Sequence, residues 1–152
     1  MGIGLTAIVD ILDAIADALD TVMGVAALGE AAVQVVPLLN LAPSQPVSVD
    51  MYPADPFRGD TTTGFSDHGE LIFTVRARAT NNDLDGAQGQ LLSLMDDEHA
   101  LCLAAALEAD DTLGGLVAQL RVQGPTGYRT YVDNQGSMLG CEWTVTVINT
   151  TS

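Results

Sequence analysis

Apolar and polar residues alternate along this chain in two different periods, and the switches between them mark its elements. Leu5, Ile8, Ile11/Leu12, Ile15 and Leu19 recur at helical spacing, which predicts a helix over residues 3 to 22. Asp10, Asp13, Asp17 and Asp20 recur at steps of three and four on the opposing side. Like charges at that spacing cost a few tenths of a kcal/mol per pair, so the stripe reads as a solvated face. Residues 23 to 46 are rich in Ala, Gly and Pro and read as a connector. Within it, Val33-Gln34-Val35-Val36 reads as a short strand ended by Pro37. Ala42-Pro43-Ser44-Gln45-Pro46 reads as an extended link.

The period then changes to two. Val47 to Tyr52 alternates as a half-buried strand does, and Pro53-Ala54-Asp55-Pro56 stops it in this reading. Residues 53 to 68 are expected to form a long polar loop, and a loop of that length in a small domain is usually functional. Gly69 to Thr80 is the clearest strand. Leu71, Phe73, Val75, Ala77 and Ala79 share one face, while Ile72, Thr74, Arg76, Arg78 and Thr80 share the other. Asn81-Asn82-Asp83 reads as a turn and helix cap. Leu84, Ala87, Leu91, Leu94 and Met95 return to helical spacing and predict a helix over 84 to 97. Residues 98 to 109 read as further helix, continuous with the last or separate, until Asp110-Asp111-Thr112 and Gly114-Gly115 break it.

Three strands are expected to close the chain: Leu116 to Gln123, Tyr128 to Val132, and Met138 to Ile148. The first two are separated by a turn at Gly124-Pro125-Thr126-Gly127, the last two by Asp133-Asn134-Gln135-Gly136. Helix, strands, helices, strands is the order of an α+β fold. The expected sheet is antiparallel or mixed, of about four to six strands, packed by the N-terminal helix and the central helical segment. With 152 residues the chain is sized for a single domain, spanning 1 to 152.

Composition sharpens this picture. Charged residues make up 16%, against roughly 25% in ordinary soluble proteins. The 20 acids face five Arg and no Lys, for a net charge of −15. Phosphate neutralisation needs clustered cations, so specific DNA or RNA binding is not expected, nor is attraction to anionic membranes. The apolar start Met1 to Leu5 has no cationic segment and is interrupted by Asp10, so no signal peptide is expected. The longest uncharged run, 31 to 49, contains Pro37, Pro43 and Pro46 and does not suit a membrane helix. Cys102 and Cys141 read as reduced core residues.

Motifs for catalysis are weak. His68 and His99 lie far apart and the cysteines have no metal-ligand spacing. Asn81-x-Asp83-x-Asp85-Gly86 starts like a calcium loop, but Leu92 stands where the closing Glu would. Ser66-Asp67-His68 are adjacent and do not converge as a triad does. The absence of Lys removes Schiff-base chemistry. No enzymatic activity, cofactor or metal is expected, and a small hydrolase or ligand-binding domain is the reading of another class. The constellation that stands out is Arg76 with Arg78, two of five cations on one strand face, which reads either as a solvated sheet face or as a face that meets carboxylates of another subunit.

Several segments together resemble a family of phage virion proteins. They are Val47-Ser48-Val49-Asp50-Met51-Tyr52-Pro53-Ala54-Asp55-Pro56-Phe57, Gly69 to Arg78, Asp83-Leu84-Asp85-Gly86-Ala87-Gln88 running into Leu91 to Asp96, Asp111 to Gly115, and Leu139-Gly140-Cys141-Glu142-Trp143. The chain resembles the tail terminator proteins of long-tailed, lambda-like phages over roughly 45 to 148, and before that as helix plus connector. The resemblance implies a homo-hexameric ring at the neck of the virion, assembled in the host cytoplasm. Such a ring caps the head-proximal end of the tail tube, ends its polymerisation and joins the head-tail connector. DNA passes through the lumen without specific binding. Head-tail connector or head-closure proteins are the neighbouring alternative. Asp55, Arg58, Asp60, Arg76 and Arg78 become the expected subunit or tube contacts.

Overall fold

The computed structural model describes residues 5–24, 33–38, 47–58, 70–80, 84–96, 98, 102–117, 119–133 and 136–148. Helix α1, Leu5–Met23, contains neither Gly nor Pro. It buries Ile11, Leu12, Ile15, Leu19 and Met23, while Asp10, Asp13, Asp17 and Asp20 are exposed. The acidic stripe is thus solvated, as its spacing suggests. Helix α1 closes with the Gly24 N–H donating to the Asp20 carbonyl at 2.8 Å. The Val33 N–H then donates to the Met23 carbonyl at 2.8 Å, tying the approach to strand β1, Gln34–Val35, to the helix end.

Strands β2 (Val47–Arg58) and β3 (Glu70–Thr80) follow β1. Helices α2 (Leu84–Met95) and α3 (Leu103–Glu108) come next. Strands β4 (Gln119–Asp133) and β5 (Gly136–Ile148) complete the order. Among the described residues, five strands form one mixed sheet in the order β1-β2-β3-β5-β4. Only β1 with β2 is parallel. The fold is α+β, as the element order predicts.

Register aligns the apolar positions into rows. Met51 stands opposite Val75, which stands opposite Trp143; Phe73, Val145 and Val122 make another row, and Leu71, Val147 and Leu120 a third. Trp143, Phe73 and Val145 are buried, and one contiguous core joins them to Ile11, Ile15, Leu91, Leu94, Leu103 and Leu107 of the helices. Helix α1 packs on α3 and β1, α2 chiefly on β3, and α3 on β4. Free Cys102 and Cys141 are both buried.

Four expectations need correction. Strand β2 does not stop at Tyr52 but runs to Arg58, with an irregularity between Pro53 and Arg58. Its other neighbour, β1, pairs only at Ser48 and Val49. Beyond them β2 has a free edge among the described residues, where prolines remove no ladder hydrogen bond. Residues 53 to 58 of the expected loop are strand, and the rest of it, residues 59 to 68, lies outside the described residues. Helix does not fill 98 to 109, because α2 ends at Met95 and α3 begins at Leu103. The run Asp96-Asp97-Glu98 puts negative charge at a helix C-terminus, where the backbone dipole opposes it. The Asp96 carboxylate also accepts from the Glu98 N–H at 3.0 Å, a local bond that competes with helix. The segment 110 to 117 forms successive turns, and the strand expected from Leu116 begins at Gln119.

Gly124 to Gly127 does not reverse the chain. The two strands expected around it are one 15-residue strand, β4, whose register against β5 shifts between Gln123 and Thr126 and again between Thr126 and Arg129. Each shift sets two residues against one, so the segment is a double bulge. Gly124 has φ of +120° and Gly127 of +65°, values that L side chains rarely adopt.

A Cβ on Gly124 would meet the Glu142 carbonyl oxygen at 3.0 Å and Trp143 Cα at 3.2 Å, both backbone. Gly124→Ala is therefore expected to destabilise the fold by on the order of 1–3 kcal/mol. Gly89→Ala, in exposed helix with nothing within 4 Å of the new carbon, should stabilise by about 0.5–1 kcal/mol. Urea midpoints moving in opposite directions at constant slope are the expected result; a Gly124 variant as stable as wild type would refute the bulge constraint.

Candidate functional site

The second face of the sheet carries an ionic network. On β2, Ser48, Asp50 and Tyr52 point away from the apolar row Val47, Val49 and Met51, because successive strand side chains alternate. Register sets Asp50 opposite Arg76 on β3 and Arg76 opposite Glu142 on β5. One row earlier, Ser48 faces Arg78. Three strands thus set acid opposite base from positions 26 residues apart (Asp50 and Arg76) and 66 apart (Arg76 and Glu142) in sequence.

Asp50 is wholly buried and receives two guanidiniums. Arg76 grips it side-on, with Nε donating to Oδ1 at 3.0 Å and Nη2 to Oδ2 at 2.5 Å. Arg78, itself 1% exposed, donates from Nη2 to Asp50 Oδ2 at 3.4 Å. The bidentate geometry is the strong form of the Arg–carboxylate bond. The Arg76 guanidinium also lies 5.4 Å from the centre of the Tyr52 ring, within cation–π range. Tyr52 Oη donates to Glu142 Oε2 at 3.0 Å, reaching across β3 above Thr74. At the edge, Arg129 Nη2 lies 3.9 Å from Glu142 Oε1, with the Arg129 side chain 55% exposed.

The network holds three guanidiniums and two carboxylates, a local excess of positive charge in a chain of net −15. Its phenol is not poised for proton transfer at neutral pH. Burial, then the hydrogen bond to Glu142 and that carboxylate's charge, push Tyr52 up to about 12. On the core face, burial and then the Glu142 charge push the Cys141 thiol up to about 12. A thiol that stays protonated behaves as a small apolar group rather than a nucleophile.

The residues singled out from sequence fall in different places. The carboxylate that meets Arg76 and Arg78 belongs to their own chain. Asp55 and Arg58 lie on the outer half of β2, with Arg58 opposite Leu71, away from the network along the strand. Asp60, His68, His99 and the Ser66-Asp67-His68 run lie outside the described residues, as does Asn81-Asn82-Asp83. Sequence reading passed over Asp50, Tyr52, Glu142 and Arg129. The alternation of β2 and β5 put the first three on polar faces, but only register reveals their partners. Among the described residues no helix is long and apolar enough to cross a membrane. No protein-family model matches the chain, and no curated protein matches it.

Removing one partner of a buried ion pair leaves an uncompensated charge, so Asp50→Asn should cost about 3–5 kcal/mol. Arg129→Ala, at the exposed end, should cost less than about 1 kcal/mol. Chemical denaturation of the two variants checks the order, and a mild Asp50 variant would mean the network contributes little.

The raised groups also set an alkaline limit. Tyr52 and Cys141 titrate higher in the folded chain than their ordinary 10.0 and 9.0. Their contribution is complete below those ordinary values and is lost as pH rises towards about 12. Denaturation midpoints should fall over that window, and Tyr52→Phe should remove part of the fall. A Tyr52→Phe profile parallel to wild type would refute the assignment.

Proposed function

We propose that the chain is a structural ring subunit of the phage tail terminator kind, acting by assembly rather than by catalysis. The observation that carries this reading is the segregation of exposed charge. Among the described residues, Asp10, Asp13, Asp17 and Asp20 of α1, Glu108 of α3, and Asp110 and Asp111 in the turn after α3 are exposed acids of the helical layer. The exposed cations Arg121 and Arg129 both sit on β4, at one edge of the sheet. A subunit with one acidic and one basic flank suits head-to-tail contacts, and head-to-tail contacts close into rings when the rotation allows.

The sequence resemblance adds which ring. It is drawn from the order of the N-terminal helix, strands and central helices together with the segments around Asp50, Arg76 and Trp143. Six copies at −15 each carry −90, and such a ring repels DNA, letting it pass without being held. In this reading Asp55, Arg58 and Asp60 are proposed contacts to the tail tube. Arg76 and Arg78 serve the ring indirectly, by holding the sheet face through Asp50.

Averaged electron images of the virion neck test the proposal, with the subunit located by a specific antibody or tag. The expected result is a six-fold ring seated directly on the head-proximal end of the tube. Its absence from the virion refutes the reading, and a position one ring closer to the head favours a connector or head-closure protein instead.

A further inference from the structure

Among the described residues β4 is an edge strand, and it does not suit ordinary strand pairing. Gln119, Arg121, Gln123, Gly124, Thr126, Tyr128, Arg129 and Thr130 are exposed along it. Pro125 has no N–H, and the two bulges interrupt the ladder that another strand would need. An antiparallel pairing of two copies centred on Pro125 would also set Arg121 against Arg129 of the other copy, opposing like charges. What β4 presents is therefore side chains, two of them guanidiniums.

The complement lies on the helical layer. The turn after α3 is shaped by Asp110, whose Oδ1 accepts from the Gly114 N–H at 3.1 Å. Leu113, Gly114 and Gly115 all take positive φ there, folding the turn against α1. Between this turn and α1 runs a groove of about 290 Å³, lined by Asp17, Thr21, Asp110 and Leu113 among others. Its two carboxylates are exposed, and a groove with an apolar floor and acidic walls fits the stem and head of an arginine.

We infer that a second copy of this chain occupies the groove: Arg121 and Arg129 of β4 in one copy dock against Asp17 and Asp110 of the next. The contact joins two different surfaces of the same chain, so each copy offers one and receives one. The inference rests on the proposed ring and names the contact that builds it.

Charge exchange in the full-length chain tests it, read by sedimentation over a range of concentrations. One variant carries Arg121→Glu and Arg129→Glu; the other carries Asp17→Arg and Asp110→Arg. Each alone is expected to lose about tenfold or more in association constant, because one surface of every contact now repels. Mixed in equal amounts, they should regain association, since each variant's altered surface matches the other's. Wild-type oligomers that neither pair of substitutions weakens would overturn the contact while leaving the ring to be decided in the virion. Failure of the mixture to associate overturns it too, as does a wild-type chain that stays monomeric at every concentration. Circular dichroism confirms that each variant is folded; should one not be, the milder exchange of Arg121→Glu with Asp17→Arg carries the same expectations.

Discussion

A carboxylate buried between two guanidiniums organises one whole face of this sheet. Taking Asp50 and Arg78 out of water costs several kcal/mol per ion. That cost is offset only because two strands deliver the partners in register: Asp50 from β2, and Arg76 and Arg78 from β3. The side-on grip of Arg76 uses both carboxylate oxygens, and Arg78 adds to one of them. A slip of one residue between β2 and β3 would break the pair and turn the apolar row Val49, Met51 outward at the same time. Ionic and apolar faces thus demand the same register, and this agreement is what makes the pairing specific.

The network continues outward by softer contacts. Arg76 lies over Tyr52, Tyr52 donates to Glu142, and Glu142 meets Arg129 at the edge. Exposure rises along the path, from the buried Asp50 to the solvated Arg129 side chain. Electrostatic strength falls in the same direction, because water screens the outer pair and not the inner one. The centre of the sheet is held by charge and the rim is left adjustable.

Much of the fold was legible because its signals are local. Helical spacing of Ile11, Ile15 and Leu19 and strict alternation from Leu71 to Ala79 identify α1 and β3 without reference to anything distant. Pro and Gly misled, because they report irregular backbone without saying what kind. Pro53 and Pro56 looked like a strand stop, yet a free edge tolerates them. Gly124 and Gly127 looked like a reversal, yet each absorbs one extra residue in a continuous strand. The ionic site was half visible: Arg76 and Arg78 stood out by scarcity, while Asp50 and Glu142 were two acids among 20. Their role depends on the strand order β2-β3-β5, a long-range property that no local pattern encodes.

The edges of the sheet bear on the proposed role by a separate argument. A protein that ends the growth of a tube has to associate with neighbours without becoming a template for further growth. An open sheet edge is such a template, since its unpaired N–H and C=O groups accept another strand indefinitely. Here, among the described residues, β1 covers only Ser48 and Val49 of β2, the free part of β2 carries Pro53 and Pro56, and β4 is interrupted by Pro125 and two bulges. In the proposed ring, association would therefore use side-chain contacts, set by the shape and charge of two particular surfaces, rather than backbone ladders, which propagate. Contacts of that kind close when the rotation between copies divides the circle. Closure of this sort, rather than extension, is what a terminating ring requires.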